Sequence, residues 1–316
     1  MGFSISRSKP FRHLQSKIGH STYRLNTIFV GLSCVAAGQG DGGAIAVSWK
    51  KPSASKAGEV ANQARIFACA GALTFSFDIF DSFLISLVNE SWMDFSRSTV
   101  EIVTKAVTRP GLGEYSIAER VSEICLDLKI DDPVRIAAIE LMAKWRNAVV
   151  HGRDREVRLT EESKKVLLAA KQQIHDEYSH LDIALAIKNF ESKNVPVSKE
   201  VTTLAAIIVS LSRRLDEAAI KRAAGDERSV KNVTTVLLKR YFSMTPNPWV
   251  EISNSWNASL PKRRIALSKF LANAGVTESR EGVSAELPQD YIEELCDLSA
   301  IEFSFKFDIK PLKLRG

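Results

Sequence analysis

Apolar positions along most of the chain recur at steps of three and four residues, the spacing that gathers them on one side of an α-helix. From Gly58 to about Asn89 they are Ala61, Ala64, Phe67, Ala68, Gly71, Phe75, Ile79, Phe83 and Leu87, which predicts one long helix with a mostly apolar face. A loop through Arg109-Pro110-Gly111 leads to a shorter helix around Ile117–Leu128. The next helix, Val134 to Val150, is the best specified. Asp132 suits its N-cap and Pro133 its first position, where the missing N–H costs nothing. Gly152 suits the left-handed position after its end. Thr160 then caps a helix with Glu161 and Glu162 in its first turn, where acids favour the dipole. Leu167, Ala170, Ile174, Tyr178, Leu181 and Leu185 would extend that helix to Phe190.

Asn194-Val195-Pro196 breaks the pattern, after which helices are expected from Ser198 to about Ala224 and, past Gly225-Asp226, to Phe242. The tail changes character at Pro246-Asn247-Pro248. It reads as short helices near Pro261–Ala274 and Pro288–Leu298, then a strand on the alternating Phe303, Phe305, Phe307 and Ile309. At the other end, Thr27–Val35, the glycine-rich 38–43 turn and Ala44–Trp49 read as a strand–turn–strand hairpin. Those glycines are not a phosphate-binding loop, since no Gly-Lys-Ser/Thr ends them and no helix follows at once. The expectation is a mainly α chain in three parts: a basic N-terminal extension with a β-hairpin (1–57), a helical domain (58–192), and a mostly helical C-terminal region with a terminal strand (195–316).

Composition adds little to the class: 45% hydrophobic and 25% charged residues are ordinary for a globular protein. No stretch reads as the ~20 apolar residues that span a membrane, so no membrane partner is expected. Four scattered cysteines (Cys34, Cys69, Cys125, Cys296), without a C-x-x-C pair, fit a reduced, cytoplasmic protein. Charge is more informative by position than by sum. Residues 1–58 carry eight basic side chains and one acid, Asp41, a net +7, and the remaining 35 basic and 36 acidic residues leave −1. The extension is therefore expected to be a nucleic-acid-binding arm, a packed hairpin, or a targeting peptide of the basic, Ser/Arg-rich kind.

Ile136, Ile139, Ala143, Arg146 and Val150 are spaced 3, 4, 3, 4, so Arg146 falls on the apolar stripe of its helix. A guanidinium there needs a partner. Either an acid of the first long helix, Asp78 or Asp81, pairs with it, or the stripe faces a second subunit across a phosphate-binding cleft. His151 lies five residues on, about 140° around the helix, in a last turn where its side chain can swing. Histidine is suited to proton transfer near neutral pH, and the planar fork of arginine to gripping a phosphate.

The run Lys144-Trp145-Arg146-Asn147-Ala148-Val149-Val150-His151-Gly152 resembles the HEPN (higher eukaryotes and prokaryotes nucleotide-binding) families, whose ribonuclease members carry Arg-x(4–6)-His at a helix end. The spacing, the Asn and the Gly agree, and the resemblance covers roughly residues 60–190. It implies a four- to five-helix bundle that forms a homodimer, in which two motifs build one composite, metal-independent site for RNA. A 2′-hydroxyl would attack the adjacent phosphodiester. His151 would move protons, Arg146 would stabilise phosphoryl charge, and Asn147 would orient the phosphate or His151. Asp78 or Asp81 would be the supporting acid, and no cofactor is implied. The biological setting implied is a toxin, phage defence or a stress response, with an antitoxin or defence-system protein as a further partner.

Other features carry less. Arg153 and Arg155, with Arg158, follow His151 and would hold RNA flanks, though Asp154 and Glu156 between them equally suit a solvated salt-bridged turn. His175 and His180 are five apart rather than the four that puts two ligands on one face, so no metal is expected there. Trp145, Trp92 and the phenylalanines at 75, 77, 80 and 83 are read as core or dimer packing. Two other functions compete: a non-catalytic HEPN module binding a nucleotide or partner, as an antitoxin or sensor, and a DNA-binding regulator using Lys262-Arg263-Arg264.

Overall fold

The computed structural model describes residues 2–39, 49–105, 108–109, 113–151, 158–278 and 285–310. Its helices are α1 (Lys9–Ala36), α2 (Ala54–Val88), α3 (Arg97–Thr104), α4 (Ile117–Asp127), α5 (Pro133–Val150), α6 (Glu161–Ala169) and α7 (Lys171–Glu177). They continue as α8 (Ile183–Glu191), α9 (Ser198–Ala223), α10 (Glu227–Met244), α11 (Pro248–Trp256), α12 (Leu260–Ala274), α13 (Gln289–Asp297) and α14 (Ala300–Lys306). The strands are two residues each: β1 (Phe3–Ser4), β2 (Thr108–Arg109), β3 (Gly113–Glu114), β4 (Thr277–Glu278) and β5 (Glu286–Leu287). The protein is mainly helical, as expected, with small antiparallel sheets ordered β4-β1-β5 and β2-β3.

The chain divides into two compact units. One holds Pro10–Val88 and Ser96–Arg214; the other holds Met1–Lys9, Asn89–Phe95 and Leu215–Gly316. In the first unit, α2 and α4 pack against α5, and α6 covers it further along. Phe80 and Phe83 of α2 stack at 6.3 Å, and Phe11 of α1 meets Phe83 edge-on at 6.4 Å. The second unit is built on an aromatic cluster, with Trp256 against Phe270 and Phe303, and Phe242 between Phe270, Phe303 and Phe307.

The N-terminal hairpin is overturned. Residues 27–36 continue α1, and residues 40–48, most of the proposed turn and of its second strand, lie outside the described residues. Phe11, Leu14, Ile18, Ser21 and Leu25 are buried at steps 3, 4, 3, 4, so a helical register is established upstream and carries through the β-branched run. Thr27 and Ser33 return their hydroxyls to the carbonyls of Tyr23 and Phe29, at 3.0 and 2.8 Å. The first residues are not a free arm either. β1 is the central strand of its sheet, and Phe3, Ser4 and Ile5 are buried.

The terminal strand is likewise a helix, α14. Ser299 and Glu302 form a capping box at its start, and Phe303 and Phe307, one turn apart, point inward while Phe305 is exposed. The helix expected from Thr160 to Phe190 is three. Ala170 breaks the ladder, and Ser179 and His180 adopt left-handed conformations before Asp182 caps α8. The helices α3 and α11 were not anticipated. The long apolar helix expected from Gly58 to about Asn89 is α2, and by length and composition it suffices to cross a membrane, where the sequence reads as holding no such stretch. A core helix passes the same test, and 44% of the apolar stretch of α2 is buried in the protein.

Candidate functional site

The helix bearing the motif is fixed at both ends by buried polar anchors. Asp132 caps α5 as expected and is almost fully buried. Its carboxylate pairs with Arg135 at 2.9 Å and with Arg214 of α9, while Arg135 Nε donates to the Tyr178 hydroxyl at 2.7 Å. Near the other end Trp145 is 1% exposed; its Nε1 donates to the Asn194 carbonyl at 2.8 Å, and its ring meets Phe190 edge-on. A large ring held at both its edge and its nitrogen sets the rotation of α5.

That rotation differs from the expected one. The buried stripe is Ala138, Leu141, Met142 and Trp145, together with Ile139. Of the expected stripe, Ile136, Ala143 and Arg146 are half-buried and Val150 is exposed. Arg146 therefore stands beside the core stripe rather than within it.

Its guanidinium sits against α2. Nη2 is 3.3 Å from Asp78 Oδ1, Nη1 donates to Asn147 Oδ1 at 3.2 Å, and Cζ lies 5.7 Å from the centre of the Phe77 ring. Nε is buried without a hydrogen-bond partner among the described residues. Asp78 is thus the acid that meets the motif. Asp81, the other candidate acid, pairs instead with Arg120 of α4 at 2.7 Å. Asn147 accepts from the arginine, a contact within the motif that the sequence reading did not include. His151 is exposed and is the C-cap of α5, its N–H donating to the Asn147 carbonyl at 3.0 Å. Arg153, Arg155 and the proposed cap Gly152 lie outside the described residues.

A second feature adjoins this cluster. Val60, Ala64, Phe67, Gly71, Phe75 and Asp78 share one face of α2 at steps 4, 3, 4, 4, 3. The sequence places Ala64, Phe67, Gly71 and Phe75 on the apolar face of this helix and reads Phe75 as core or dimer packing. Phe67 is 81% exposed, Phe75 43%, and a side chain at Gly71 would meet nothing within 4 Å. The buried face is Ala61, Cys69, Leu73, Ser76, Phe80, Phe83, Leu84 and Leu87. The outward stripe leads along α2 to Asp78, and Val150, one turn beyond Arg146, is a further exposed apolar side chain.

The other candidates resolve differently. Arg263, central to the proposed DNA-reading run, donates to the carbonyls of Ala258, Cys296 and Leu298 and serves as a structural clamp. Arg264 lies 3.8 Å from Glu293. Among the described residues no group of three or more His, Cys, Asp or Glu is placed to hold a metal. No family model matches the chain, and no curated protein or solved structure is found similar to it.

Proposed function

We propose that the chain is a metal-independent endoribonuclease of the HEPN type, acting in the cytoplasm as a toxin or in phage defence or a stress response. One observation carries this reading: a half-buried arginine, braced by Asp78 and Asn147, lies five residues before an exposed histidine at the end of the same helix. A phosphate taken up by Arg146 would receive a fork of charge-assisted hydrogen bonds. The 2′-oxygen attacks phosphorus and the bond to the 5′-oxygen breaks. Imidazole accepts the 2′ proton, and an imidazolium protonates the leaving oxygen, leaving a 2′,3′-cyclic phosphate and a 5′-hydroxyl. Two proton transfers ask for two imidazoles, and the account supplies them from two copies of the chain. The outward Phe67–Gly71–Phe75 stripe beside Asp78 is the surface on which a second copy would dock. Purified protein incubated with RNA in EDTA tests the reading: cleavage lost in Arg146→Ala and His151→Ala supports it, and no cleavage by the native chain contradicts it.

A second reading has an observation of its own. Asp78 already neutralises Arg146 within one chain, as a purely structural arginine requires. The helical unit would then be a non-catalytic module that binds a nucleotide or a protein partner. Under that reading Asp78→Ala lowers stability and no variant changes any RNA product.

A further inference from the structure

Away from this cluster, the turn between α7 and α8 brings together two histidines that sequence spacing keeps apart. On a continuous helix, residues five apart point about 140° away from each other. Here α7 stops at Glu177, Tyr178 caps it, and the chain reverses through Ser179 and His180 at φ 50° and 58°. The His180 N–H donates back to the His175 carbonyl at 2.9 Å, the six-to-one closure that ends a helix in a left-handed turn. The closure returns residue 180 over residue 175. The two imidazole rings lie with centres 4.6 Å apart and planes inclined at 48°.

We infer that His175 and His180 form an open, two-imidazole site for a divalent transition-metal ion of the zinc, nickel and copper class. Two imidazoles bound to one such ion by bonds of ~2.0–2.1 Å have ring centres roughly 4.5–5.5 Å apart, so the observed spacing needs little adjustment. The ring of His175 is held by a carboxylate. Its Nδ1 lies 3.1 Å from Asp176 Oδ1; an ionised carboxylate can only accept, so in the neutral ring that a metal binds the proton belongs on Nδ1 and Nε2 keeps the lone pair. Asp176 is in turn held by both its oxygens by Gln172, at 3.0 and 3.1 Å. A metal-binding histidine supported by a carboxylate, itself supported by an amide, is the arrangement that raises ligand basicity and fixes the tautomer.

No third His, Cys, Asp or Glu joins the pair among the described residues, so water completes the coordination. An exchangeable ion follows rather than a closed structural one. Its effect falls on the turn. A chelate across residues 175 and 180 clamps the left-handed reversal, in which two non-glycine residues hold a conformation that L side chains disfavour.

The test is calorimetric titration of the full chain with Zn²⁺ in chelator-free buffer, with melting temperature followed alongside. The expected result is one ion per chain and a raised melting temperature in the native protein. Affinity should fall at least about tenfold in each of His175→Ala and His180→Ala, and about tenfold in Asp176→Asn. His151→Ala should bind as the native chain does, which separates this site from the proposed cleavage motif. Absence of saturable binding, binding unchanged in the His175→Ala/His180→Ala double variant, or binding lost in His151→Ala would each overturn the inference. Should an alanine variant fail to fold, Cu²⁺ electron paramagnetic resonance of the native chain decides. Splitting from two imidazole nitrogens supports the site and its absence overturns it.

Discussion

Arg146 reaches from α5 to α2 and places Nη2 3.3 Å from Asp78 Oδ1, which ties the proposed phosphate-gripping group to an acid 68 residues earlier. Asp78 is more than half exposed, so the pair contributes only about 0–1 kcal/mol to stability. Its proposed role is to aim the guanidinium. Asp78→Ala should therefore leave the melting temperature nearly unchanged and lower kcat for RNA cleavage about tenfold, with KM little affected. Arg146→Lys should not restore the activity lost in Arg146→Ala, because a point charge lacks the planar fork. A large drop in melting temperature with full cleavage would show the pair to be structural.

The exposed stripe on α2 makes a second claim measurable. Replacing Phe67, 81% exposed, by Glu removes nothing from the core, so the helical signal should persist. If the stripe is where a second copy docks, sedimentation should show a shift from dimer to monomer, and cleavage should fall with it. A variant that stays dimeric at micromolar concentration would move the interface elsewhere.

How much of this was legible depended on the range of the interactions involved. The start of α5 was plain because Asp132-Pro133 is local chemistry, and the motif on it could be placed to the residue. The rotation of α5 was not, because it is set by Trp145 meeting Asn194 and Phe190, more than 40 positions away. Asp78 and Asp81 were indistinguishable on one helix until Arg120 claimed the second. Phe303–Ile309 satisfied a period of two while its i, i+4 pair satisfied a helix; the Ser299/Glu302 capping box was the signal that separates them. The central strand β1 pairs Phe3 with Glu278 and Leu287, a relation no local pattern announces.

Asp132 supports the motif from the far end of α5 and gives a stability prediction. Removing its carboxylate takes the shared anion from Arg214 and from Arg135, which keeps Glu177 at 3.3 Å, and takes the cap from α5. Asp132→Ala should cost about 3–5 kcal/mol in denaturant unfolding, well beyond the ~1 kcal/mol of a lost cap alone. A cost near 1 kcal/mol would mean that the two arginines find other partners.

Thiol reactivity should follow burial. Burial pushes the Cys69 thiol up to about 11 and Cys125 up to about 12, and raises Cys296 as well. Cys34 is exposed. The thiolate is the reacting form, so at pH 8 the native chain should be alkylated by iodoacetamide at Cys34 and, on the same timescale, at no buried cysteine. Mass spectrometry of the peptides checks this, and rapid labelling of Cys125 in the folded chain would contradict the packing of α4 against α5.

The central claim is that Arg146 and His151 cleave RNA by 2′-hydroxyl attack. The most direct measurement is end-group analysis of the fragments formed from a defined RNA by the native chain and by His151→Ala, both in excess EDTA. The account predicts 2′,3′-cyclic phosphate and 5′-hydroxyl ends from the native chain, a rate at least about 10²-fold lower for the variant, and no cleavage when the scissile nucleotide is 2′-deoxy. Fragments bearing 5′-phosphates, cleavage of the deoxy substrate, or full activity in His151→Ala would contradict it.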